Sequence, residues 1–307
     1  MKFSLFAAPI LLAAQAMAES LPLRVITFNI RYDAGSREDG EKPWDDWFCG
    51  IWESRCRRYK LVGKLEEISA APADGATVIG LQEVLHNQLE DIMGGMGDPW
   101  SYIGVGRDDG KEDGEYTPIL YRTDALKLVF SEVKWLSPTP DEVSFGWGAG
   151  SRRTVTLAVF EHIATGHRFM HVNTHLDNVS SEARSKGILV AVDRIKAAQA
   201  TYGPLGVSLT GDFNSAPFGD AYNALKNTGY FTDIYYLAPD SAHVGTLGNT
   251  YTTFSPDAVT SRIDFIWLGN ATDQPYTATK YEIIDNVVDD MYISDHRPVV
   301  GDLSLRV

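Results

Sequence analysis

Apolar segments of strand length recur along almost all of this 307-residue chain, and several are apolar at every position rather than at alternate ones. They fall at 23–30, 76–81, 101–105, 117–121, 126–136, 154–163, 169–174, 207–210, 263–268, 279–284 and 298–305. A strand with one wet face alternates apolar and polar residues; a continuous run needs cover on both faces. The cover is written between the strands. Glu53 to Ala71 carries Tyr59, Val62, Leu65 and Ile68 at helical spacing, and Glu182 to Thr201 carries Ile188, Val192 and Ile195 on one stripe, with Ser181 placed to cap it. Asp220 to Asn227 is a shorter third helix. Roughly a dozen strands with helices scattered among them predict two packed sheets with helices outside. No repeat, low-complexity tract or Pro/Ser-rich linker divides the chain, so residues 19–307 are read as a single domain.

The first 18 residues stand apart from this pattern. Lys2, the apolar stretch from Phe3 to Ala16, and Ala16-Met17-Ala18 have the order of a signal peptide. Its apolar run is shorter than the about 20 residues a permanent membrane span requires. No other run approaches that length, so the expectation is a secreted, extracellular protein with no transmembrane segment. Export gives Cys49 and Cys56 a meaning: in an oxidising compartment a local disulfide is favoured over two free thiols, and zinc would need further ligands nearby. Asn178-Val179-Ser180 and Asn270-Ala271-Thr272 are glycosylation acceptors in a eukaryotic host. Composition excludes other classes. Hydrophobic residues make up 44% and aromatics 11%, which rules against disorder, and two cysteines cannot staple a miniprotein. With 27 basic against 41 acidic side chains and a net charge of −14, the chain cannot grip duplex nucleic acid through bulk positive charge.

Five of the apolar strands end abruptly in residues that handle metals or protons. The first ends in Asn29-Ile30-Arg31, the second in Gln82-Glu83, a third in Thr174-His175-Leu176-Asp177, and a fourth in Gly211-Asp212-Phe213-Asn214. Ser294-Asp295-His296-Arg297-Pro298 opens the last. Matching ends of packed strands converge, so these groups can share one polar pocket, with Asp212 and Asn214 on the same side of their strand. Each alone has a plain reading as a turn, a strand cap or a solvated loop residue. Their joint occurrence does not.

These motifs, with Gly114–Arg122 (GEYTPILYR) and Arg262–Trp267 (RIDFIW), resemble the endonuclease/exonuclease/phosphatase superfamily over Arg24 to Val307. The resemblance implies an α/β four-layer sandwich of two packed mixed β-sheets flanked by helices. It implies that Glu83 is the principal metal carboxylate, with Asp295 a further metal-side carboxylate and Asn29 touching metal or phosphate. Asp212 and Asn214 match the pair that orients the attacking water, and His296 the catalytic histidine, its ring held by Asp264. His175 matches a second histidine that bonds the phosphate, and Glu115 aligns with a glutamate that partners it. The chain departs from the exonuclease III-type branch, which has an Asp where Arg31 stands and a Tyr where His175 stands. That points to the deoxyribonuclease, sphingomyelinase and phosphatase branches.

The chemistry fits those residue types. A divalent cation offsets the negative charge that protects a phosphate ester, and Mg2+ takes hard oxygen ligands, with Mn2+ or Ca2+ as alternatives. His296 is placed for proton transfer and His175 for donation to a phosphate oxygen. Arg31, Arg153 and Arg184 are candidate phosphate contacts, whereas Arg262 can pair locally. The aromatic segment from Trp44 to Trp52 is expected to overhang the site, faced by Ser144 to Gly148, which suits a sugar, inositol, base or lipid headgroup. The expected function is a secreted, metal-dependent phosphoric ester hydrolase acting by in-line water attack on a small or lipid- or sugar-linked ester, with monoester and diester both open. Two alternatives stand beside it: an extracellular nuclease, for which long duplex is disfavoured by the acidic surface, and a non-catalytic binding protein on the same fold. The chain is expected to be a monomer.

Overall fold

The computed structural model describes residues 20–49, 51–52, 55–70, 72, 75–256, 260–270 and 273–306. The expected leader at 1–18 and two residues of the Asn270 acceptor lie outside them. The first half of the chain comprises β1 (Ser20–Asn29), α1 (Arg57–Ile68), β2 (Ala76–Gln82), α2 (His86–Met96), β3 (Trp100–Ile103), β4 (Ile119–Arg122), β5 (Leu126–Trp135), β6 (Thr154–His162) and β7 (Arg168–His175). The second comprises α3 (Ser181–Tyr202), β8 (Val207–Asp212), α4 (Asp220–Lys226), β9 (Phe231–Asp233), the single turn α5 (Ile234–Leu237), β10 (His243–Val244), β11 (Asp264–Gly269), β12 (Tyr276–Ile283), β13 (Val287–Val288), β14 (Met291–Tyr292) and β15 (Val299–Arg306).

Two mixed sheets result. One has the strand order β10-β12-β15-β1-β2-β4-β3 and the other β5-β6-β7-β8-β11-β9. Each is built around a parallel pair, β1 with β2 and β7 with β8, bordered by antiparallel neighbours. Strict alternation then explains the continuous apolar runs. Along β1, Leu21, Leu23 and Val25 enter the core between the sheets, while Ile26, Phe28 and Ile30 pack with Leu61, Leu65, Leu89 and Ile92 of α1 and α2. In the other sheet Ile266 and Leu268 face the first, while Val172, Leu209 and Trp267 pack with Ile188, Val192 and Leu225 of α3 and α4. The four layers expected from the sequence are therefore present.

The helices differ in detail from the sequence reading. Helix α1 begins at Arg57 rather than Glu53, after the disulfide, and Ser180 rather than Ser181 caps α3, its Oγ accepting from Ala183 N at 3.2 Å. Helix α2 carries Leu89, Ile92 and Met96 as its buried stripe but was not foreseen. Gly94 and Gly95 lower its intrinsic helicity, so packing against the sheet rather than propensity sustains it.

Near the pocket end, the space between the sheets turns polar. Asn173 donates to the carbonyls of Leu81 and Pro118 at 2.7 and 3.0 Å, and its Oδ1 accepts from Gln82 Nε2 at 2.7 Å. This tie across the sheets leaves no room at Gly80, where a Cβ would collide with Thr210 Oγ1 and Asn173 Oδ1. Beneath it His171 is fully buried, Nδ1 lying 2.8 Å from Ser208 Oγ, and burial pushes its imidazole down to about 3. The unfolded chain takes a proton on this ring below about pH 6.5 and the folded one does not, so acidification favours unfolding. Urea unfolding between pH 6.5 and 4.5 should show stability falling by up to about 1.4 kcal/mol per pH unit from this group, with a shallower slope in His171→Gln.

Candidate active site

The alternation that packs the core also aims the polar residues. Asn29, His175, Asp212 and Asp264 continue the faces of β1, β7, β8 and β11 that look between the sheets, beyond a polar layer that includes Thr27, Asn173 and Thr210. The antiparallel strands β11 and β15 begin where the parallel strands end, which brings Asp264 and the preceding Asp295 and His296 to the same rim. Glu83 breaks the alternation. Gln82 already looks between the sheets, so a regular strand would send Glu83 toward the helices; a left-handed φ of 59° turns its backbone out of that alternation. Arg31 and Asn214 also have left-handed φ, at 58° and 46°. Each such residue costs on the order of 1–3 kcal/mol, and strain of this kind gathers where function demands a geometry.

Asp212 is the hub. Its Oδ2 accepts from Asn29 Nδ2 at 2.9 Å and lies 3.5 Å from His175 Nε2 and 3.7 Å from His296 Nε2. Its Oδ1 accepts from the backbone N–H of Asn214 at 2.8 Å, and the Asn214 amide touches His175 Nε2 at 3.1 Å. Asn29 reaches Glu83 Oε1 at 3.1 Å, while its Oδ1 accepts from Arg31 N, so one amide ties both carboxylates. His296 Nδ1 lies 2.8 Å from Asp264 Oδ2, the pairing expected from the sequence. Thr250 Oγ1 accepts from Asp264 N and fixes that strand start.

Burial and neighbouring charge divide the titratable groups into two sets. Burial, then the Asp264 carboxylate, pushes Asp212 up to about 7. Burial, reinforced by Glu83, raises Asp295 to about 6 and Glu115 to about 7. For His296 burial works downward but is outweighed by Asp264 and Asp212, which hold the ring well above its ordinary value. His175 is pushed well below it by burial and by Arg153 and Arg107. At neutral pH one histidine is a cation and the other neutral.

The remaining expectations divide. Glu115 lies 3.8 Å from His175 Nδ1, but both its oxygens are held at 2.7 Å by Arg107, and the group against Nδ1 is Arg153, at 3.0 Å. Arg153 also donates to Asn178 Oδ1 at 2.9 Å, so that amide forms part of the pocket wall. Arg31 lines the pocket while bound to Glu41 at 3.3 Å. Arg184 does not line it; its guanidinium is paired with Asp220 at 2.6 Å. Arg262 pairs with Asp233 at 2.8 Å. The aromatic segment does not overhang the pocket: Trp44 is buried, donating to Asp91 at 2.9 Å, and neither Trp47, Trp52 nor Trp147 lines it. Sequence reasoning missed Arg107, Tyr32 and Tyr251. Tyr251 stands 5.1 Å from the His296 ring, brought there by a β-bridge that no local motif announces.

The pocket, about 490 Å3, suits a hard cation. Glu83, His175 and Asp212 bring ligand atoms within 4.8 Å of one another, as do Asp212, Asp264 and His296. The second set is committed to its hydrogen-bonded, charged histidine. The charge of Glu83 also pushes the buried Asp295 upward, a repulsion that a divalent cation held near both would relieve.

The layered sandwich and its convergent acid, amide and histidine pocket define a protein of the phosphoesterase kind. The chain belongs to the endonuclease/exonuclease/phosphatase family, which it matches over residues 26–296. A family protein from Bacteroides vulgatus is 32% identical, with TM-score 0.76, covering 92% of this chain and 99% of its own. One from Bacteroides thetaiotaomicron is 29% identical, TM-score 0.78, covering 94% and 100%. A mannosyl-6-phosphatase from the same species is 29% identical, TM-score 0.77, covering 92% and 99%. No curated protein sequence matches the chain at a significant level. Replacing Asp264 by Asn removes the charge that holds His296 cationic; turnover of a phosphate ester should fall by about 10²–10⁴-fold, with an unchanged circular dichroism spectrum.

Proposed function

We propose that this chain is a secreted, divalent-metal-dependent phosphoesterase that hydrolyses a small phosphate ester, sugar phosphates foremost, by in-line attack of water. The observation that carries the reading is the crowding of Asn29, His175 and His296 around one carboxylate oxygen, Asp212 Oδ2. Glu83 and Asp295, assisted by Asn29, would hold the cation. When bound, a Mg2+-like ion offsets phosphoryl charge and stabilises charge developing on the leaving oxygen.

The residues do the rest. Asp212, raised to about 7, is matched to accept the proton of the attacking water, and Asn214 keeps its other oxygen in place. His296, held cationic beside Asp264, can give a proton or donate to a phosphoryl oxygen, but cannot act as the base. His175, neutral, offers a second contact without adding charge. Arg153 and Arg107 enrich that wall in positive charge. The pocket volume suits a ligand of phosphorylated-sugar size, and the mannosyl-6-phosphatase likeness supports that substrate class. The surplus of acidic side chains supports a small ester over a long polyanion. Export is supported by the leader-like sequence and the Cys49–Cys56 disulfide.

A panel of sugar phosphates, headgroup diesters, plasmid and RNA, assayed with Mg2+ and with EDTA, tests the reading. The expected result is metal-dependent release of phosphate from sugar monoesters, falling at least about 100-fold in His296→Ala. Preferential digestion of plasmid or RNA would replace it with a nuclease, and ligand binding without turnover would replace it with a binding protein.

A further inference from the structure

The chain leaves the fold after Trp44 and rejoins it at Arg57. Arg57 N donates to Pro43 O at 3.0 Å and Arg58 N to Trp44 O at 3.3 Å, which closes the base of the loop between them, and the Cys49–Cys56 disulfide staples its interior. Trp44 and Cys49 are buried, yet the tip turns outward: Trp47 is 88% exposed, Ile51 67%, Trp52 52% and Phe48 44%. Phe48 and Trp52 stand with ring centroids 6.0 Å apart. The sequence Trp47-Phe48-Cys49-Gly50-Ile51-Trp52 carries no charge, Asp45 at the base is paired with Arg58 at 2.8 Å, and the Arg55 guanidinium lies 5.1 Å from the centre of the Phe48 ring. A loop that spends a disulfide on holding four large apolar side chains in water needs a partner surface.

We propose that this stapled tip inserts into the interface of a neutral, zwitterionic lipid bilayer. A projecting tip with two tryptophans, and Arg55 stacked on Phe48, suits the headgroup boundary, where the amphipathic indole ring is favoured and a guanidinium can meet a zwitterion's phosphate. The overall charge of −14 selects neutral lipid, because an anionic surface would repel the protein. Orientation adds to the case. Arg57, directly after the loop, donates to the carbonyls of Ile30, Arg31 and Tyr32, so the base of the loop stands at the strand ends that form the pocket. Docking by the tip would therefore hold the pocket end of the molecule near the membrane. Such docking would serve the pocket whichever ester is hydrolysed.

Cosedimentation of the oxidised protein with phosphatidylcholine vesicles tests it, with intrinsic tryptophan fluorescence as a second readout. The wild type should partition onto the vesicles with a blue-shifted emission. Trp47→Ser with Trp52→Ser should weaken partition by at least about tenfold, since each buried aromatic contributes on that scale. Adding phosphatidylserine should weaken it further. Replacing 45–56 with two glycines should abolish it while leaving the thermal melt cooperative, and the serine pair keeps the test valid if that deletion does not fold. Absence of wild-type partition, or equal partition in the serine pair, overturns the proposal. So does a dimer that the serine pair dissociates, which would assign the tip to a second copy of the chain.

Discussion

Because the central strands of both sheets are buried on both faces, polar chemistry can emerge only where strands end. That constraint organises the molecule. Leu23, Val25, Ile266 and Leu268 fill the space between the sheets, and the same strand faces deliver Asn29 and Asp264 at the pocket end. The polar tie of Asn173 to Gln82 and to the carbonyls of Leu81 and Pro118 sets the spacing of the two sheets just below the pocket. Distances of about 3–4 Å between groups far apart in sequence follow from that spacing rather than from any local motif.

The pocket then uses burial to give similar residues different states. Asp212 and Asp295 are raised by desolvation toward neutrality, whereas Asp264 is committed to the imidazolium of His296. His175 and His296 lie near the same carboxylate, yet their neighbours are of opposite sign: Arg153 on one, Asp264 on the other. A neutral donor or acceptor and a charged donor thus sit side by side, a division suited to positioning a phosphate while moving a single proton.

Much of this was legible in the sequence because strand parity is local information. The runs around residues 23–30 and 207–210, together with the polar groups that end them, place Asn29 and Asp212 without further knowledge. What was not legible depends on long-range packing. Helix α2 carries two glycines and is sustained by the sheet beneath it. Glu115 has the expected neighbour in His175, but Arg107, which no motif marks, takes both its oxygens, and Arg153 occupies the histidine's Nδ1. Arg184 is drawn to Asp220, from a helix whose position relative to α3 the sequence does not state. The aromatic segment was expected over the pocket because it follows β1; its hydrogen-bonded base and disulfide instead hold it as a separate projection.

In the proposed reading, Glu83 and Asp295 together hold a divalent cation. Calorimetric titration of the protein with Mg2+ or Mn2+, in the absence of any substrate, tests it directly. One saturable site is expected, its affinity falling at least about tenfold in Glu83→Gln and in Asp295→Asn, each variant remaining folded. Cation binding of unchanged affinity in both variants would contradict it.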